Sequence, residues 1–85
     1  MKKDTNITIN ENNTTYYAYD VQIFGTKADG SCRMWVNWDN GCHNNFHVYD
    51  YTEENGWVLF SYSRRYQCVH PTPELIDAVY NAVVA

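Results

Sequence analysis

The stretch SCRMWVNWDNGCHNNFHVYDYTEENGWVLF, residues 31–60, decides the fold. Three runs rich in aromatic and β-branched residues, Ser31 to Trp38, Cys42 to Thr52 and Trp57 to about Tyr66, are separated by Asp39-Asn40-Gly41 and Glu54-Asn55-Gly56. Such runs favour a pleated, half-buried surface. Asn or Asp before Gly supplies the left-handed backbone that tight hairpin loops require. The stretch therefore predicts consecutive antiparallel hairpins.

Working upstream, Ala28-Asp29-Gly30 repeats the turn chemistry and predicts a further strand, Tyr17 to Thr26, before it. Residues 1–15 are rich in Asn and Thr, with a brief alternation at Ile7 and Ile9. They read as a flexible arm or a short edge strand, with the arm preferred. Residues 16–85 form the single domain that a chain of this length can support.

Working downstream, Thr72 is suited to cap a helix, Pro73 to open it, and Glu74 to sit in its first turn against the positive end of the helix dipole. Leu75, Ile76, Val79, Ala82 and Val83 then recur at helical spacing, with Asp77 and Asn81 facing away. The expected fold is α+β: an antiparallel β-meander of about four strands with one C-terminal helix packed on one face.

The register of the hairpins determines which residues face that helix, because a slip of one residue reverses every side chain. Three-residue loops at Asp39-Asn40-Gly41 and Glu54-Asn55-Gly56 oppose Val36 to Asn44, Met34 to Phe46, Cys32 to Val48, Asp50 to Phe60 and Thr52 to Val58. This collects apolar residues on one face. Trp35, His43, His47, Tyr49, Tyr51, Trp57 and Leu59 then share the opposite face. For the first hairpin, a three-residue loop turns Phe24 to the core, whereas a four-residue loop from Lys27 to Gly30 reverses it.

The composition, 45% hydrophobic and 16% aromatic with 19% charged, suffices for a folded core without metals or disulfides. A formal charge of -4, with Lys and Arg never clustered beyond a pair, argues against direct nucleic-acid binding, which depends on basic patches. No run has the length of a membrane span, and polar residues follow Lys2-Lys3-Asp4 where a signal sequence would be apolar. Three cysteines without a secretion signal predict reduced thiols and a cytoplasmic location.

Cys32, Cys42, His43, His47, Cys68 and His70 are the chemically versatile residues. On a strand, His43 and His47 stand about 13 Å apart, too far for one zinc ion. Cys68 and His70 could form a thiol–imidazole pair, but no nucleophile elbow, phosphate loop or carboxylate dyad accompanies them. The expectation is a protein with no enzymatic activity, no metal and no cofactor.

The residues expected to bind a partner are therefore Trp35, Tyr49, Tyr51 and Trp57, with the acidic Asp50, Glu53 and Glu54 beside them. Tyr and Trp bury large areas at low entropic cost, which is why they dominate interface hot spots. In size, acidity and absence of targeting or motif, the chain resembles, as a class, the small phage-encoded inhibitors of bacterial defence, anti-CRISPR proteins among them. That resemblance implies a protein partner, a stoichiometric block of a defence nuclease complex, and action in the host cytoplasm. The alternative is a ligand-binding module in which Trp35, Trp57 and Tyr51 stack a sugar or nucleotide base.

Overall fold

Hairpin chemistry resolves, in the computed structural model, into five antiparallel strands: β1 (Thr8–Glu11), β2 (Thr14–Phe24), β3 (Arg33–Asp39), β4 (Phe46–Thr52) and β5 (Gly56–Tyr62). A helix, α1 (Pro73–Val84), follows them. The structure describes residues 3–11, 13–39, 45–63 and 69–84. Strand order in the sheet is the order in the chain. Helix α1 touches both β2 and β5, which are not neighbours, so the sheet curls around it. None of the described helices is long and apolar enough to cross a membrane.

The fifth strand comes from the N-terminal stretch. Instead of a flexible arm, residues 3–11 run along β2 as an edge. Thr8 pairs with Tyr17 and Glu11 with Thr14, and Lys3 exchanges both backbone hydrogen bonds with Val21. The expectation underrated this segment because Asn and Thr carry little apolar surface. Its ladder is instead held by backbone pairing and by Ile7 and Ile9, which pack against the core.

Beside this edge, β2 is bulged between Tyr19 and Gln22. Asp20 takes a left-handed φ of 49°, its amide donating to Asp4 Oδ1 at 3.1 Å. The bulge lets Ala18 and Val21 both turn inward, each wholly buried. The first hairpin takes the register of the four-residue loop from Lys27 to Gly30, with Gly30 N donating to Lys27 O at 3.3 Å. Phe24 pairs with Arg33, so residues 25–32 form the connection, and Phe24 is exposed on the outer face.

The register between β3 and β4 also departs from expectation. Met34 faces Tyr49 and Val36 faces His47, not Phe46 and Asn44. An odd shift of three residues turns β4 over relative to β3. The Asn40-Gly41 turn and His43 lie outside the described residues. Favouring Phe46 and Val48 for the helix-facing side misled the reading: His47 and Tyr49 enter that side as a mutually hydrogen-bonded pair, and Val48 is buried opposite Trp35 on the other face.

Between β4 and β5, Thr52 pairs with Gly56, whose φ is 69°, so the loop is Glu53-Glu54-Asn55, one residue earlier than expected. Asn55 donates its amide to Thr52 Oγ1 at 3.0 Å. A second bulge, between Val48 and Tyr49, lets Phe60 project outward. The inner face thus carries Met34, Val36, Trp38, Tyr49 and Trp57, with Ile76 and Val79 of α1 against it.

Helix α1 begins where the sequence places it. Thr72 Oγ1 accepts from Leu75 N at 3.2 Å, and Pro73 opens the helix. Its last turn contains no basic residue, but Lys3 Nζ donates to Val83 O at 3.2 Å from the other end of the chain. A second tie joins Glu11 to His70, whose amide and Nδ1 lie 2.8 and 2.9 Å from its carboxylate oxygens. This pairing lowers the Glu11 pKa.

Candidate functional site

The predicted binding residues divide between two faces. Tyr49 and Trp57 are buried, at 2% and 7% exposure, and Tyr51 is partly buried beside Trp57 on the inner face. Trp35 stands alone among the four on the outer face, 39% exposed and stacked on Phe46 at 5.3 Å. The expected face of Trp35, Tyr49, Tyr51 and Trp57 is therefore corrected, and the stacking platform of Trp35, Trp57 and Tyr51 is not assembled. The odd shift of β4 is the cause: it carried the Tyr and Trp residues of β4 and β5 into the core and left Trp35 behind.

What remains outside is a different aromatic face. Tyr17 and Tyr19 face outward because Ala18 between them faces in, and the bulge at Asp20 restores Phe24 to the same side. With Trp35 of β3 and Phe60 of β5, these side chains are 51%, 41%, 50%, 39% and 59% exposed. The Arg33 guanidinium lies 4.1 Å over the Phe60 ring and makes a bidentate pair with Asp50, at 2.7 and 3.0 Å. That pairing raises the Arg33 pKa and orients the cation along the face. Sequence reasoning missed Tyr17, Tyr19 and Phe60, which lie beside bulges without a sequence signature, whereas the four-residue loop it weighed for the first hairpin does turn Phe24 outward.

One end of the sheet is acidic. The connection of residues 25–32, the β4–β5 turn and the start of α1 meet there, bringing Asp29, Asp50, Glu53, Glu54, Glu74 and Asp77 together with Lys27 and Arg33. Six carboxylates against two cations leave an excess of four negative charges, and both cations are held internally, by Asp77 and Asp50. Asp29 has its pKa lowered by hydrogen bonds from the Ser31 hydroxyl and amide and from Thr26, so it stays ionised. Glu53 and Glu54 are exposed in the turn.

The inner face contains the polar chemistry of the core. Trp38 Nε1 donates to the Tyr49 hydroxyl at 3.2 Å, and that hydroxyl contacts His47 Nδ1. A phenol can accept from Trp38 and still give its own proton to a neighbouring imidazole nitrogen, so one hydroxyl serves both neighbours. Burial pushes the Tyr49 phenol far above its usual range, so it serves as a neutral donor. Next to this triad, a cleft of about 300 Å³ opens between Leu59, Val69, His70 and Ile76. Cys32 is buried, and desolvation raises its thiol pKa, which removes the character of a nucleophile. Among the described residues no three His, Cys, Asp or Glu side chains gather as metal ligands. Cys42, His43 and Cys68 lie outside those residues.

No family model, no curated protein and no solved structure matches this chain.

Proposed function

We propose that this chain is a small protein-binding module without catalytic activity, which docks a partner protein on the outer face of its sheet. The observation that carries the reading is the exposed row of Tyr17, Tyr19, Phe24, Trp35 and Phe60 on a protein otherwise able to bury large aromatics. Side chains of this kind are costly to leave in water and are enriched in interface centres.

The adjoining acidic end specifies the partner's chemistry. A surface with apolar pockets flanked by Lys and Arg would complement the aromatic face together with Asp50, Glu53 and Glu54. Nucleic-acid-binding channels of proteins have this character. The class resemblance to phage-encoded defence inhibitors points the same way, to a cytoplasmic stoichiometric blocker of a nuclease complex. Occlusion requires no chemistry of the inhibitor's own, in keeping with a buried Cys32 and a Tyr49–His47 pair already committed to the core.

The test is affinity capture from lysate of the source cells, followed by reconstitution with the purified partner and calorimetry. We expect Trp35→Ser with Phe60→Ser to weaken the complex more than tenfold. Glu53→Gln with Glu54→Gln is expected to reduce its salt dependence, and Lys27→Met to leave it intact. Full binding by the Trp35 and Phe60 variants overturns the reading.

A further inference from the structure

On the inner side of the same acidic end, Lys27 is enclosed by aromatic rings. Its Nζ lies 4.2 Å from the Tyr80 ring centre, 4.4 Å from Tyr51 and 5.4 Å from Trp57. The Asp77 carboxylate closes the fourth side, 3.0 Å from Nζ, with its oxygen also accepting from Trp57 Nε1 at 3.2 Å. Tyr51 and Trp57 meet edge to face, and Trp57 and Tyr80 are tilted at 48°, so three ring faces converge on one point.

Three rings and a carboxylate around one ammonium form the arrangement that recognises alkylated ammonium ions, because ring faces attract positive charge without demanding hydrogen bonds. We propose that Tyr51, Trp57, Tyr80 and Asp77 form a binding site for an alkylammonium group, occupied in the free protein by the chain's own Lys27. The ligand class is a methylated ammonium head, carried by a small molecule or by a methylated lysine.

Three further observations favour exchange over a purely structural lock. A cleft of about 330 Å³ opens on the cage, walled by Tyr51, Trp57, Gly56 and Pro73, so a ligand has an approach path. Glu74 lines that cleft together with Asp77, so two carboxylates face a single lysine and the mouth keeps a negative excess. Lys27 itself belongs to the connection of residues 25–32, whose residues 25–26 and 28–31 are all exposed, so its withdrawal bares the cage rings, Trp57 of the core among them, for a ligand to cover. Hydrogen bonds from Lys27 and Trp57 lower the Asp77 pKa, and the Trp57 bond remains when Lys27 leaves.

This site is on the opposite side of the sheet from the outer aromatic face, and the two readings stand or fall separately. The experiment is an NMR titration with tetramethylammonium chloride, with sodium chloride at equal ionic strength as the reference. In the wild type, the Lys27 ε-methylene protons are expected upfield through the ring currents of the cage, moving to free-lysine positions as the ligand displaces them. Lys27→Ala should bind at least about tenfold more tightly than the wild type, read on the Trp57 indole signal, a difference within the range of ring–cation attraction. Adding Tyr80→Leu to that variant should abolish the gain. If Lys27→Ala does not fold, the wild-type displacement decides alone. Lys27 protons unmoved at saturating salt, or equal affinity with and without Tyr80, overturn the proposal. Choline and a trimethyl-lysine peptide, compared with its unmethylated form, then assign the source of the head group.

Discussion

Tyr49 is a single side chain on which three buried groups depend. Its hydroxyl accepts from Trp38 Nε1 and meets His47 Nδ1, all at less than a few per cent exposure. Tyr49→Phe preserves the ring and deprives both partners, so urea unfolding should show a loss of about 1–3 kcal/mol, the cost of stranding buried polar atoms. The same phenol has a pKa raised by burial above its ordinary value of 10.0. Above pH 10 the unfolded chain releases this proton while the folded chain retains it, so stability from this group is complete below that pH and falls as pH rises further. The decline should be shallower in Tyr49→Phe. Gly25 offers a second test at the same scale. Its φ is 71°, and a Cβ there would collide with the Ser31 carbonyl and hydroxyl, whereas at Gly30, φ 75°, a Cβ meets open space. Both alanine variants bear the left-handed backbone cost of about 1–2 kcal/mol, and Gly25→Ala should exceed Gly30→Ala in thermal unfolding because it adds the collision.

Among the elements, α1 was the most legible in the sequence. A capping Thr72, Pro73 and a period of apolar residues act locally, and they need no knowledge of partners. Thr72→Ala should therefore lower stability by about 1 kcal/mol, measured by denaturant unfolding, because Leu75 N loses its acceptor. The stripe itself was read correctly for Ile76 and Val79, which are buried, but Asp77 was expected to face solvent and instead binds Lys27 and Trp57. Strands β2 to β5 were legible from aromatic and β-branched runs, whereas β1, poor in both, was read as an arm. Strand facing was not legible, because each face depends on the length of a connection. Residue 45 already hydrogen-bonds to Trp38, so the link between β3 and β4 is longer than its Asp-Asn-Gly signal implies. Bulges at Asp20 and near Phe60 change facing within a strand, and only tertiary pairing with Lys3 and Val48 reveals them. The aromatic face was consequently anticipated in kind but assigned to the wrong residues, save Trp35. Asp50, Glu53 and Glu54 were placed independently of register, being in or beside a turn.

For the molecule as a whole, the curled sheet separates two chemistries. Its outside exposes rings and carboxylates to solvent, and its inside holds the hydrogen-bonded triad and the lysine cage beneath α1. The two ties from the N-terminal strand, Lys3 to Val83 and Glu11 to His70, reach across 80 and 59 residues to the helix region and fasten the edge to the lid of the core. Strand order that repeats chain order also has a consequence in time. Every sheet contact joins neighbours along the chain, so each loop to be closed is short, and folding should advance hairpin by hairpin with millisecond rather than second relaxation. Only α1 must return across the sheet to meet β2, which makes its docking the late event. Stopped-flow measurements should then find that Val36→Ala slows refolding, while Val79→Ala leaves refolding nearly unchanged and accelerates unfolding. The lifetime of the native state would thus be set by how long the helix stays seated, and its rate of formation by the hairpins.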